Sequence, residues 1–181
     1  MLLLSAIADP LIRVLLTSKW EGCIILLQLI CFNMMWYPIH SINLNLLTVK
    51  GRSDLFFRLE VIKKIIGIVI LCVTIPHGII WMVSGGIVSS LFALIVNTYY
   101  TGKLINVGFI KQMKDLLPIL GISLLMWFIV LISLLVTPNS YMQLFVGICT
   151  GILFYIVCAR MLLKEEWCEV LSMIPSKFKK K

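Results

Sequence analysis

Polar side chains able to bind a ligand are concentrated in one short run of this otherwise apolar sequence. The run carries, in order, Trp36, His40, Asn43 and Asn45. At about 100° per residue, a helix would place His40 and Asn43 on one side and Asn45 on another. Unsatisfied polar groups are costly in hydrocarbon. We therefore expect these side chains to line a hydrated cavity, where the amides could bind sugar hydroxyls, or to bond neighbouring helices for about 0.6 kcal/mol per bond.

Three cations outside this run are candidates for holding a phosphate group. Lys50 and Arg52 lie shortly after it, on either side of Gly51. One interpretation of that segment is a turn with a permissive glycine, and the other is a phosphate site. Arg13 lies four residues after Asp9 in the first apolar segment. A charged pair inside a membrane helix is a functional candidate, whereas a place at the membrane surface would leave the pair solvated.

Patterns typical of catalysis and metal binding do not occur in this sequence. The two histidines, His40 and His77, belong to no HExxH pattern, and the P-loop, Gly-x-Ser-x-Gly and Gly-x-Gly-x-x-Gly patterns are missing. The six cysteines occur singly, without the spacing of metal ligands. We therefore expect no catalytic residue, no metal and no cofactor, which disfavours a membrane-embedded glycosyl- or acyltransferase.

Composition indicates that the chain lies in a membrane. Of its 181 residues, 61% are hydrophobic and 13% are charged, and the mean hydropathy is +1.06. A water-soluble domain of this length could not bury so much apolar surface. The net charge of +8 comes from basic residues that flank apolar stretches. Anionic lipid headgroups, and not nucleic acids, are therefore the expected anionic partners.

The basic residues alternate along the chain in a way that predicts its threading. Of the 16 Lys and Arg residues, 14 fall in three clusters, within 50–64, 103–114 and 160–181. The gaps near 76–78 and 137–140 contain none. Loops that stay in the cytoplasm are enriched in Lys and Arg. The pattern predicts a multi-pass membrane protein with a cytoplasmic C-terminus and a basic cytoplasmic tail over residues 164–181.

Span length sets the expected architecture. A hydrocarbon core of about 30 Å needs about 20 apolar residues as helix. We expect an all-α transmembrane bundle over residues 1–163, with about five full spans and an N-terminal partial span. The expected spans are approximately 1–17, 22–47, 55–75, 79–100, 115–136 and 141–163. Pro76 and Gly78 divide the apolar run 65–96 into two of them. Lys63 and Lys64 would then reach the membrane surface.

Small residues spaced four apart predict close helix packing in two places. One pair is Gly85 and Ser89, and the other is Gly147 and Gly151. Such spacing lets the backbones of neighbouring membrane helices approach each other.

Three segments resemble one family of transport proteins. They are Asp9-Pro-Leu-Ile-Arg13 with Lys19-Trp20, Met35-Trp-Tyr-Pro-Ile-His-Ser-Ile-Asn-Leu-Asn-Leu-Leu47, and Val49-Lys-Gly-Arg-Ser-Asp-Leu-Phe-Phe-Arg-Leu-Glu-Val-Ile-Lys-Lys64. They are similar to the C-terminal part of bacterial polysaccharide-biosynthesis flippases, of the lipid-linked oligosaccharide or O-antigen type. These flippases belong to the multidrug/oligosaccharidyl-lipid/polysaccharide exporter superfamily. The resemblance covers nearly the whole chain and is densest from Asp9 to Lys64.

The resemblance implies a transporter and not an enzyme. Such flippases carry undecaprenyl-diphosphate-linked sugar units across the bacterial inner membrane in polysaccharide or lipopolysaccharide biosynthesis, by alternating access of two helix bundles around a cationic cavity. The substrate-cavity candidates would then be Trp36, His40, Asn43 and Asn45. The electrostatic candidates for the diphosphate would be Arg13, Lys50 and Arg52.

The resemblance also implies that a second bundle completes the site, because a site between two halves cannot be built by one. We therefore expect a fragment that lacks the N-terminal half of such a protein. Its expected partners are the lipid-linked substrate, membrane lipids, and the missing half or polysaccharide assembly proteins. The alternative is a small membrane scaffold or accessory subunit without transport activity of its own, whose polar helix docks on a larger protein.

Overall fold

The computed structural model describes residues 1–105 and 109–162, and within these ranges the chain is helical and contains no strand. Its α-helices there are α1 (Leu2–Ala6), α2 (Ala8–Leu15), α3 (Gly22–Met34), α4 (Tyr37–Val49), α5 (Ser53–Thr74), α6 (Ile79–Ile105), α7 (Phe109–Val136) and α8 (Ser140–Leu162). The predicted all-α architecture is confirmed. The predicted basic tail, 164–181, lies outside the described residues.

Four segments of the described chain are long and apolar enough to cross a membrane. They are Gly22–Val49, Ile79–Lys103, Ile110–Val136 and Ser140–Met161. The other predicted full span, 55–75, lies in α5 and is helical as expected. Its first half carries the charged residues Arg58, Glu60, Lys63 and Lys64. The predicted number of full spans therefore agrees only roughly with the structure.

The first of these segments bends in its middle. Helix α3 ends at Met34 and α4 begins at Tyr37, with Pro38 in the first turn of α4. Proline lacks the N–H that a helix interior requires, but it fits the first turn of a helix. The continuous span predicted over residues 22–47 is therefore two helical halves joined at Met35 and Trp36.

The N-terminal segment forms two short helices in place of the predicted partial span. Helices α1 and α2 meet at Ile7, which is buried together with Ala6. These two residues pack against Met126 and Val130 of α7 in an entirely apolar cluster. The segment thus lies inside the bundle, where it connects α3, α7 and α8.

Glycines of α8 make room for the N-terminal segment. A Cβ atom added at Gly147 would lie 2.8 Å from Cγ2 of Ile7, and one added at Gly151 would collide with the side chain of Leu3. Real Cβ atoms do not approach other atoms so closely. The close packing predicted from the spacing of these two glycines is confirmed.

Helices α5 and α6 form an antiparallel pair around the turn predicted at Pro76. A 3₁₀ turn covers Ile75–His77, and Gly78 follows with a φ of +100°, a conformation that favours glycine. A Cβ atom added at Gly85 of α6 would lie 2.9 Å from both Ile70 and Thr74 of α5. The predicted reversal and the close contact that follows it are both confirmed.

One end of the bundle carries cations from every spanning helix, and we call it the basic end. These cations are Lys50 after α4, Lys103 in the last turn of α6, Lys111 in the first turn of α7 and Arg160 in the last turn of α8. Asn43 of α4 accepts a hydrogen bond from Thr101 of α6 and donates one to Gln112 of α7, which holds three of these helix ends together. The alternation of charge predicts that the basic end faces the cytoplasm.

Candidate functional site: a polar seam between helices

His40 bonds two side chains of α6. Its Nε2 atom lies 3.2 Å from the hydroxyl of Ser90, and the amide nitrogen of Asn97 lies 3.3 Å from its Nδ1 atom. An amide nitrogen can only donate, so Nδ1 accepts this bond. In the neutral ring the proton then lies on Nε2, which donates to Ser90. Two residues of one helix therefore fix both the orientation and the tautomer of His40.

Asn43 joins α4 to two other helices, one turn closer to the basic end. Its side-chain amide exchanges two hydrogen bonds with Gln112 of α7, each 3.1 Å long. The hydroxyl of Thr101 on α6 donates to the backbone carbonyl of Asn43 over 3.5 Å. Asn43 is only 2% exposed, and Thr101 is fully buried. This residue is therefore the point at which α4, α6 and α7 meet.

These side chains form one group, which we call the polar seam. Its members are His40 and Asn43 of α4, Ser90, Asn97 and Thr101 of α6, and Gln112 of α7. The sequence predicted the two members from α4 and missed the other four. A usable signal was present in α6, because residues seven and four apart share one face of a helix.

Two buried polar atoms near His40 have no hydrogen-bond partner among the described residues. They are the donor Nε1 of Trp36 and the acceptor Oδ1 of Asn97. Trp36 precedes His40 by one helical turn, and Asn97 bonds the His40 ring through its other amide atom. Most buried polar groups in proteins are bonded. This donor and this acceptor are therefore available to a water molecule or a polar ligand.

Asn45 lies apart from the other cavity candidates. Its side chain is exposed on the surface of α4, whereas Asn43, two residues earlier, is buried. The structure therefore brings His40 and Asn43 together, with Trp36 one turn away, and leaves Asn45 outside the seam.

The three predicted phosphate-binding cations do not converge. Arg13 bonds the carboxylates of Asp9 and Glu21 over 2.9 Å and 2.7 Å, and it lies close to the start of α3. Lys50 and Arg52 lie at the basic end, between the end of α4 and the start of α5. A single phosphate group could therefore not contact Arg13 together with the other two.

At the basic end, Arg52 is engaged by a neighbouring acid, whereas Lys50 is exposed. The Nε atom of Arg52 lies 3.3 Å from the Asp54 carboxylate. Desolvation opposes the ionisation of Asp54, but hydrogen bonds from the Leu55 N–H and from Arg52 outweigh it and lower the pKa of this carboxyl. Both cations are exposed, and of these two only Arg52 has an acidic partner among the described residues.

An ion pair that the sequence did not predict lies beside the seam. Lys63 bonds Glu60, one turn earlier on α5, and its side chain is only 14% exposed. A cleft of about 340 Å³ beside the pair is lined also by Ser89 of α6. The Lys63 side chain is therefore mostly covered by its neighbours whereas Lys64 is exposed, and the expectation that both reach the membrane surface stays a prediction.

Comparison with known proteins gives no relative, since no family model, no curated protein and no solved structure matches this chain. Its function is therefore inferred from the residues of the seam, from their surroundings and from the sequence resemblance.

The seam is suited to hydrogen bonding and not to acid–base or metal chemistry. Amides and hydroxyls predominate in it, and His40 is its one titratable member. Among residues 1–105 and 109–162, no three His, Cys, Asp or Glu side chains lie close enough to hold a metal ion. The arrangement can bind the hydroxyls of a polar molecule, or it can hold three helices in register.

Proposed function

We propose that this chain is a helical bundle of a transporter that moves lipid-linked oligosaccharides, such as undecaprenyl-diphosphate-linked sugar units, across the bacterial inner membrane. The observation that carries the proposal is the polar seam, with its unpartnered donor and acceptor, among helices that are long and apolar enough to cross a membrane. Amides and hydroxyls are the groups that bind sugars, and they are costly in hydrocarbon unless they have a use or a partner.

The ion pair of α5 supports the same proposal. Lys63 lies ten residues after the start of α5, which is about 15 Å along the helix. The cleft beside Lys63 is also lined by Ser89, which lies ten residues after the start of the candidate span Ile79–Lys103 and therefore near its middle. Ionisable side chains at such depth are rare, and they are typical of substrate or ion pathways. The pair and the seam are adjacent, so both would face the same pathway.

The sequence resemblance adds the class of substrate. The segments that resemble flippases include Trp36, His40, Asn43 and the Lys50–Arg52 turn. A transport site between two bundles needs a second bundle. We propose that it comes from another part of the same protein or from a partner polypeptide.

The test uses inner-membrane vesicles from the native host, so that any partner bundle is present. The probe is an undecaprenyl-diphosphate-linked oligosaccharide with a fluorophore on its sugar, and a membrane-impermeant reductant quenches the molecules that face outward. Deleting the gene should abolish the time-dependent change in the quenchable fraction. Replacing His40→Leu should abolish most of it, whereas the matched exchange His77→Leu, in the exposed turn after α5, should leave it unchanged.

Two outcomes would contradict the proposal. If the deletion strain flips the probe at the wild-type rate, the chain has no part in this transport. If the deletion abolishes flipping but His40→Leu, correctly folded, does not slow it, the seam has no part in transport.

A membrane scaffold or accessory subunit is the second candidate. One observation favours it, namely the exposed amide of Asn45 on a spanning helix. A polar side chain facing lipid is unfavourable, and a partner helix would cover it. A scaffold would co-purify with its partner in fixed proportion. Asn45→Leu would release that partner, whereas His40→Leu would leave it bound.

A further inference from the structure

An apolar cavity lies beside the start of α4, and His40 is not among its lining residues. It has a volume of about 760 Å³ and is enclosed by the N-terminus, the bend between α3 and α4, α7 and α8. Its lining includes Met35 and Ile39 from the bend, Leu120 and Met126 from α7, and Ile152 from α8. Apart from Ser123 and the hydroxyls of two tyrosines, the lining side chains are apolar. Water would find few partners there, because a buried water molecule needs two to four polar groups.

The Asn43–Gln112 amide pair closes the cavity toward the basic end. Ile39 of α4 and Leu116 of α7 line the cavity, and Asn43 and Gln112 lie one turn beyond them on the same two helices. Their two reciprocal hydrogen bonds join α4 to α7 at this point. The cavity is therefore separated from the basic end by a polar contact.

The cavity opens sideways onto the outer apolar surface of the bundle. Seven of its lining residues are also exposed, among them Met34, Tyr37, Ile152 and Ile156. In a membrane-spanning bundle this surface faces lipid hydrocarbon, so hydrocarbon is the phase that can enter. The lining extends along α7 from Leu116 to Met126, which is about 15 Å of helix. That length is about half of the hydrocarbon core, the depth of one leaflet.

We propose that this cavity binds one acyl chain of a bilayer phospholipid from the leaflet at the basic end. The chain enters between the bend of α4 and α8, lies along α7, and leaves its headgroup at the surface near the basic residues. A single leaflet depth fits an acyl chain, whereas a long polyprenyl chain would exceed it. The bound chain fills the space between α4 and α7 and so supports their contact. This inference does not depend on the proposed transport.

The test is photo-labelling of the full chain in vesicles of phosphatidylethanolamine and phosphatidylglycerol. The probe is a phosphatidylglycerol with a diazirine in one acyl chain, and the labelled residues are identified by peptide mass spectrometry. Label should appear on the inward-facing residues of 34–39 and 116–126. Filling the cavity by Leu120→Trp should lower that labelling about tenfold. The matched variant Leu117→Trp, whose position on α7 is exposed and outside the cavity lining, should leave the labelling unchanged.

Three results would overturn the inference. The first is no label on the cavity residues of the wild-type chain. The second is equal labelling in the Leu120→Trp and Leu117→Trp variants, with Ser123→Phe as a second filling variant should the first not fold. The third is displacement of the probe by undecaprenyl phosphate at equal concentration, which would identify the carrier lipid as the occupant. Since the label does not depend on transport, a chain that flips no oligosaccharide would still be labelled.

Discussion

The two sides of the bundle are held together by different chemistry. The apolar side, made by α1, α2, α7 and α8, buries Ala6, Ile7, Met126 and Val130. The polar side, made by α4, α5 and α6, buries Asn43, Asn97, Thr98 and Thr101. Lipid tails are as apolar as leucine, so burying apolar side chains drives helix association in a membrane only weakly. The apolar side must therefore rely on close fit, and the polar side on directional hydrogen bonds.

The difference indicates which kind of substitution should damage each side. Within residues 1–105 and 109–162, the apolar side has no buried side-chain N or O atom without a partner, but it has no room where glycines of α8 meet the N-terminal segment. The polar side contains donors and acceptors that become costly when a partner is removed. Added volume should therefore damage the first side, and loss of a polar partner should damage the second.

Added volume at Gly147 should have the largest effect on stability. In Gly147→Val the new side chain meets Ile7, whose β-branch cannot rotate away, together with Leu134. We expect a loss of about 3 kcal/mol in the free energy of unfolding. Unfolding in SDS, followed by far-ultraviolet circular dichroism, measures this quantity.

The matched control for this variant is Gly121→Ala on α7, where an added Cβ atom meets no other atom within 4 Å. It should stabilise the protein by about 0.5 kcal/mol, because alanine is the better helix former. Equal stabilities for the two variants would show that the glycine contact does not hold the apolar side together.

Loss of either amide of the Asn43–Gln112 pair should lower the free energy of unfolding by less, and the two losses should not add up. Asn43→Leu removes two hydrogen bonds to Gln112 and should cost about 1 kcal/mol in the free energy of unfolding. Gln112→Leu should cost a similar amount. The double variant should cost less than the sum of the two, since neither amide is then left without its partner. A double-mutant cycle measures this coupling, and strictly additive costs would mean that the amide pair does not bind α4 to α7.

The smallest effect is expected at Asn45. Its side chain is exposed, so Asn45→Leu should change the free energy of unfolding by less than about 0.5 kcal/mol. Asn43→Leu, the same exchange two residues away, is its matched partner. Equal losses in the two variants would contradict the assignment of Asn43 to the interior and of Asn45 to the surface.

Much of the fold could be predicted because apolar runs and the proline and glycine residues in and between them determine structure locally. The reversal at Pro76 and Gly78 and the close packing at Gly147 and Gly151 are properties of short segments. The bend at Trp36 was missed, although Pro38 indicated it, because the apolar run continues through it without a charge.

The site could be predicted only in part, because its other half comes from distant residues. His40 and Asn43 were found from their polarity, whereas Asn97 and Gln112 lie 57 and 69 residues away from them. Only the register of packed helices brings such residues together. The same reason applies to Lys63, since the sequence shows a lysine but not that neighbouring residues cover most of its side chain.

The central claim is tested most directly by measuring both the free energy of unfolding and the flipping rate of one double variant. Glu60→Leu with Lys63→Met removes the partly buried ion pair and keeps its volume. Replacing both members of a buried pair by apolar residues is often neutral for stability, so the free energy of unfolding should stay within about 1 kcal/mol of the wild-type value. If the pair and the seam serve transport, flipping of the labelled oligosaccharide in host vesicles should nevertheless fall about tenfold or more. The exposed exchange Arg58→Met on the same helix, outside the cleft, should leave it unchanged. Flipping at the wild-type rate by the stable double variant would contradict the account.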